Sequence, residues 1–231
     1  MSFYSISEFI KDHYPEYWGY VEYDADECAI IHRVKDEWGI FCNFAETSLE
    51  VNGHTFRSSE ELFQLMKFKD AAVLKNIVAG ITANDKECDA IKMTAKSYEK
   101  KYRRKDWGQM VIDAMKFCLQ TKYDQCEEFR NKLKESLGFY IVEDQSSFTK
   151  STPDAWGAKL KEGKFVGPNL LGRLLMGRAA QLPIDESIAN ICAVTREDLL
   201  AVARKVTVEV TYFLEGTLAG EEAVDDGDEG I

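Results

Sequence analysis

The sequence predicts an α+β fold, a mostly helical single domain with a small β-sheet, and three observations carry that prediction. Val, Ile and aromatic residues gather early, before and around an Asn52-Gly53 pair, where strands and a turn are favoured. From Ser58 onward, apolar residues recur at helical spacing behind recognisable caps. The chain has 231 residues, 45% of them apolar, which is enough to bury one full core.

Taken in order, residues 5–13 read as a short helix closed by Pro15. Residues 34–44 and 49–56 include strands, with Asn52-Gly53 as the two-residue turn between Leu49-Glu50-Val51 and His54-Thr55-Phe56. Ser58-Ser59-Glu60-Glu61 has the S-x-x-E form of a capping box, so the first core helix starts there and is expected to stop near Gly80. A second helix begins after Asn84, with Glu87 completing its box. The third opens at Asp106 and places Trp107, Met110, Ala114, Phe117 and Cys118 on one apolar face. A fourth covers residues 125–137 and ends at Gly138. Residues 139–142 read as a strand, and residues 143–167 as a long loop of the kind that often carries function. Pro168 suits a helix start, which makes residues 169–178 helical, with Gly172 allowing close approach to a neighbour. Thr195-Arg196-Glu197-Asp198 caps a further helix to Lys205, and residues 206–213 are either a strand or its continuation.

Charge and composition narrow the function. A formal net charge of -11 argues against broad binding to duplex phosphate, although the acidic tail from Glu221 to Glu229 holds part of it and Lys100, Lys101, Arg103, Arg104 and Lys105 form a local basic cluster. Six scattered cysteines without C-x-x-C spacing, and no apolar leader, point to a reducing, cytoplasmic compartment. Three histidines without ligand spacing give no zinc site, and no apolar run approaches membrane-spanning length.

Chemistry concentrates just after the hairpin. On the helix that follows Ser58, Glu60, Gln64 and Lys67 fall at i, i+4 and i+7, stacking a carboxylate, an amide and an amine on one side. Such a stripe either flanks one small substrate or is a solvated face with a helical charge pair.

Several motifs then follow one another: Gly39-Ile40-Phe41-Cys42-Asn43-Phe44, Asn52-Gly53, Ser58-Ser59-Glu60, Gln64 with Lys67-Phe68, Ala95-Lys96, Asp106-Trp107, Lys116-Phe117 and Gln120. Later come Asp154-Ala155-Trp156-Gly157 and Gly167-Pro168-Asn169-Leu170-Leu171-Gly172-Arg173-Leu174-Leu175-Met176. In order and spacing these resemble the YbiA-like, or NADAR, family, with its G-x-F-S-N-F, S-S-E-H, Q-A-x-K-F, D-x-x-W-G and G-x-N-x-L-G-x-x-L-M signatures. The resemblance covers residues 36–180 as the catalytic domain, leaving 1–35 as an N-terminal extension, 181–218 as a C-terminal extension and 219–231 as an acidic disordered tail. Two departures stand out: Glu61 occupies the place of the family's His, and the D-x-x-W-G spacing is one residue short.

The resemblance implies hydrolysis of an N-glycosidic bond at ribose C1, needing no metal or redox cofactor. Its substrate would be ADP-ribosylated guanine, free or in nucleic acid, or a phosphoribosylamino-pyrimidine intermediate of riboflavin synthesis. A module that binds ADP-ribose or NAD without turnover is the alternative. Glu60 would be the carboxylate that steadies positive charge at C1 or orients water, against a plain role in capping. Lys67 would be a nucleophilic amine, or would pair with Glu60 or a phosphate. Asp154 would be the second acid or base, with Glu143 or Asp144 as substitutes. Phe41, Asn43, Phe44, Gln64 and Trp156-Gly157 would bind the substrate, and Trp107 would stack on a base unless it is core. Gly167 and Asn169 would offer helix-end amides to phosphate, with Gly172 and Arg173 close by and Arg103, Arg104 and Arg178 as further phosphate partners.

Overall fold

The computed structural model describes residues 6–13, 15–51, 54–83 and 88–179. The Asn52-Gly53 turn, the Asn84 and Glu87 cap and everything expected from residue 180 on lie outside the described residues.

Two short helices, α1 (Ile6–His13) and α2 (Pro15–Trp18), lead in, with Pro15 starting the second as well as closing the first. Strands β1 (Val21–Asp24) and β2 (Cys28–Ile31) follow, then the hairpin of β3 (Leu49–Val51) and β4 (His54–Phe56). Five helices come next: α3 (Ser59–Leu65), α4 (Ala71–Ala83), α5 (Cys88–Tyr102), α6 (Trp107–Gln125) and α7 (Glu127–Glu135). The described chain closes with β5 (Tyr140–Glu143), β6 (Lys159–Lys161), β7 (Lys164–Gly167) and α8 (Leu170–Ala179).

The strands form three small sheets among the described residues: antiparallel β1-β7-β6, parallel β2-β5 and the β3-β4 hairpin. In the parallel pair Ile31 stands opposite Glu143, so both strands end on the same side. Residues 21–31, set apart by the sequence reading as an extension, therefore supply two of the strands that frame the domain.

Helix α3 lies at the centre, packed against α5 and α6 with every residue buried. Its start follows the capping chemistry: Ser58 Oγ accepts from the Glu61 amide at 3.2 Å, while the Glu61 carboxylate accepts from the Arg57 amide at 2.6 Å. Around it the core continues through Phe41, Phe68, Trp107, Val111, Met115, Phe129 and Phe165.

Three expectations are corrected. Residues 34–44 are not a strand: β2 ends at Ile31, and a single 3-10 turn, Gly39–Phe41, interrupts the loop. The chain doubles back so tightly that a Cβ on Gly39 would meet the Val34 carbonyl at 2.1 Å, and the aromatic residues are buried by stacking Trp38 on Phe41 and Phe41 edge-on to Phe129. The first core helix does not run to Gly80. It stops at Leu65, because Phe68 bridges to Arg103 and the Asp70 carboxylate caps a new helix at the Val73 amide, 3.1 Å away. Residues 143–167 are not all loop: β6 and β7 pair through Glu162 and Gly163, both left-handed at φ 49° and 82°, as a tight hairpin turn requires.

Candidate functional site

A cleft of about 1950 Å³ opens where β2 and β5 end, against α3 and α5. Its inner part is lined by Asn43, Phe44, Glu60, Phe63, Gln64, Lys67, Lys92, Glu99, Arg103, Glu143, Gln145, Asp154 and Trp156. Glu60, Lys67 and Asp154, the three side chains singled out for catalysis, thus share one cavity although 94 positions separate the first from the last.

Each is placed by local structure. Glu60 stands in the first turn of α3, where its amide donates to the Asn43 carbonyl at 2.9 Å. The Ser59 hydroxyl, 3.2 Å from both the Asn43 carbonyl and its side-chain oxygen, ties the Asn43-Phe44 loop to the same helix end. Gln64, one turn on, donates from Nε2 to the Glu60 carboxylate at 2.6 Å. Its other amide atom, Oε1, is buried in the cleft wall and has no hydrogen-bond partner among the described residues.

Lys67 lies just beyond the end of α3, and its carbonyl accepts from the Arg104 amide at 2.9 Å. Its Nζ pairs with Glu99 at 2.5 Å rather than with Glu60, and lies 5.6 Å from the centre of the Phe63 ring. Burial lowers its pKa, while Glu99 and then Glu60 pull it back up.

Asp154 accepts from Gln145 Nε2 at 2.6 Å and from the Trp156 amide at 2.9 Å. Gln145 returns the contact, accepting from the Asp154 amide at 2.9 Å. The turn after Asp154 is locked further, because the carbonyls of Ala155, Trp156 and Gly157 accept from the amides of Leu170, Leu171 and Asn169, each at 3.0 Å. Trp156 accordingly meets Phe63 edge to face, with ring centres 5.8 Å apart, and forms a wall of the cleft.

Lys92 lies 5.6 Å from the centre of the Phe44 ring. Farther out the cleft is lined by Arg33, Lys35 and Lys132 and by a larger set of acids: Asp36, Glu37, Glu127, Glu128 and Glu135.

A NADAR domain model matches residues 31–182. The chain belongs to the NADAR family. Among NADAR relatives, the Escherichia coli (strain K12) protein named N-glycosidase YbiA is 29% identical over 162 residues, covering 67% of this chain and 88% of that protein. The protein of the same name from Shigella flexneri is 28% identical over 157 residues, with the same coverage. The NMR structure of the E. coli protein YbiA superposes with a TM-score of 0.52 at 26% identity, covering 70% of this chain and 88% of that one.

Not every NADAR motif residue reaches the cleft. Phe41 is fully buried between Trp38 and Phe129, and Trp107 is buried behind Phe63, with ring centres 5.2 Å apart. The amides at the start of α8 are engaged by the 155–157 turn, so they are not open to phosphate. Gly157 and Gly167 serve close packing instead: an added Cβ would lie 2.6 Å from the Glu143 carbonyl in the first case and 2.7 Å from the Gly157 carbonyl in the second. Asn169, left-handed at φ 48°, clamps β5 by accepting from the Glu143 amide at 3.0 Å and donating to the Ile141 carbonyl at 2.9 Å. Gly172 packs on that same Ile141 carbonyl, and Arg173 donates to the Tyr17 carbonyl at 3.2 Å, inside the core. Arg104 is held by Asp106 at 2.7 Å, whereas Arg103 does line the cleft. The Arg178 side chain lies outside what is described.

Sequence reasoning passed over Phe63, Lys92, Glu99 and Gln145. Phe63 sits three residues after Glu60 and shares its face, and Lys92 and Glu99 on α5 are followed by Arg103 just past its end, at steps of 7 and 4, so a signal for them was present.

Proposed function

We propose that this protein is an N-glycosidase that hydrolyses a ribose C1 to nitrogen bond, removing ADP-ribose from guanine at the level of the free nucleoside or nucleotide. The observation that carries the reading is the meeting of an amine and several carboxyls, Lys67, Glu60, Asp154 and Glu143, in one cleft that the aromatic rings of Phe44 and Trp156 also line. A pure ligand reader needs shape and phosphate contacts, but not a buried amine beside acids. Membership of the NADAR family and the printed name of its YbiA relatives favour the same reaction class.

Size and charge favour the substrate. At about 1950 Å³ the cleft exceeds the roughly 300–1,000 Å³ of a common small-ligand pocket and suits a two-nucleotide compound better than a lone pyrimidine ribotide. Lys92 and Arg103 are at hand for its phosphates, while the acidic outer wall disfavours a long polyanion.

In this reading Glu60, steadied by Gln64, offsets the positive charge that develops at C1, and Asp154 holds a ribose hydroxyl. Lys67, having shed its proton, attacks C1 as the nitrogen leaves. The ring oxygen takes up a proton as the sugar opens to an imine, and water then hydrolyses the imine to restore the amine.

The test is to incubate the protein separately with ADP-ribosylated guanosine and with a phosphoribosylamino pyrimidine, and to follow release of base or amine by mass spectrometry. Turnover of the first is expected; preference for the second would replace the substrate assignment, and turnover of neither would remove the enzyme reading. Borohydride added during turnover should trap a sugar on Lys67. Lys67→Arg, which preserves the ion pair with Glu99, should abolish both trapping and turnover, and full activity in that variant would reduce Lys67 to a cationic ligand.

A further inference from the structure

We infer that Glu143 is the acid that protonates the departing nitrogen, held in place for that task by Asn169 and the turn at Gly157. The inference rests on the N-glycosidase reading and adds to it the proton donor that Glu60 and Asp154 are poorly placed to supply. Glu60 already accepts from Gln64, and Asp154 already accepts from Gln145 and from the Trp156 amide; both are thus arranged as acceptors.

Glu143 is the last residue of β5 and lines the same cleft. Its backbone is fixed on both sides: its amide donates to Asn169 Oδ1 at 3.0 Å, and its carbonyl accepts from the Ala158 amide at 2.8 Å. Gly157 lies so close that an added Cβ would sit 2.6 Å from that carbonyl. Three features of the late motifs, a left-handed Asn169, a side chain of Asn169 turned onto β5 and a glycine at 157, therefore converge on the backbone from which the Glu143 carboxyl projects.

The charged groups around Glu143 come from several elements. Asp154 in the turn and Glu60 on α3 oppose its ionisation, and Lys92 on α5 favours it. Gln145, whose Nε2 donates to Asp154 at 2.6 Å, also favours the ionised form of Glu143, as the least of these influences. Cys42 also lies within its influence, and the adjacent Asp144 is turned to His32 at 3.2 Å. Burial first, and Asp154 second, push the Glu143 carboxyl up to about 8, so it carries its proton at neutral pH. When the C1 to nitrogen bond breaks, the electron pair goes to nitrogen and the Glu143 proton joins it. The carboxylate left behind recovers a proton from the water that hydrolyses the imine, and the cycle balances.

The experiment compares wild type with Glu143→Gln and Glu143→Asp on two ribosyl substrates, one whose nitrogen leaving group needs a proton and one with a p-nitrophenolate leaving group that does not. Wild-type kcat/KM on the first should fall above about pH 8. Glu143→Gln should lose about 100- to 10,000-fold on it and lose that alkaline limb, yet keep most of its rate on the second. Glu143→Asp should restore part of the loss. Equal losses on both substrates, or an unchanged pH profile in an active Glu143→Gln, would overturn the inference. Wild type without activity on any ribosyl-nitrogen compound would instead overturn the reading beneath it.

Discussion

Lys67 sits under two opposed influences, and their balance makes its role measurable. Burial lowers the pKa of its amine, whereas Glu99, 2.5 Å away, raises it. An attacking amine works only when unprotonated, so activity should rise with pH through that lowered pKa. Glu99→Gln removes the raising partner and leaves burial unopposed, and the acidic limb of kcat/KM should therefore move to lower pH in a pH-rate profile; a move to higher pH would contradict the assignment. At this scale the sequence was only half legible. Spacing placed Glu60, Gln64 and Lys67 together, but nothing in it told that Lys67 would choose Glu99, thirty-two positions on, over Glu60. Trp107 shows the converse: a pair of residues matched a family motif, and the indole was core all the same, because Phe63 stands between it and the cleft.

Among elements, the junction of α8 with β5 bears most of the positioning. Gly172→Ala would put a Cβ 2.0 Å from the Ile141 carbonyl and 2.5 Å from the Asn169 side-chain nitrogen, Nδ2. The gain in helix propensity is at most about 1 kcal/mol, and overpacking costs about 1–3 kcal/mol, so the variant should be less stable. A lowered denaturation midpoint would show it, with activity lost beyond the fraction unfolded because the Glu143 clamp shifts too. Helix starts were readable where a cap announced them, as at Ser58, whose capping bond is worth about 1 kcal/mol. The end of α3 was not, since it depends on the bridge from Phe68 to Arg103, a contact remote in sequence. The β6-β7 hairpin was hidden by its shortness and by a reversal of the usual pattern, in which Lys159 is buried and Leu160 is exposed.

For the whole molecule, the net charge of -11 and the acids along the outer cleft act in one direction. Duplex DNA should be a poor competitor: added at micromolar concentration in physiological salt, it should leave turnover of an ADP-ribosylated nucleoside unchanged, and marked inhibition would point to a nucleic-acid substrate. Among the described residues no helix is long and apolar enough to cross a membrane. The broad plan, a helical domain with minor sheets, followed from composition and caps; the pairing of β2 with β5, which brings Glu143 to the cleft, joins segments more than a hundred residues apart and left no trace in local pattern. One joint described above governs how the protein greets its ligand. Because the first amides of α8 already grip the carbonyls of residues 155–157, the tryptophan wall is preset. The entropy of ordering it was lost when the chain folded, and encounter with substrate does not have to bear that loss a second time.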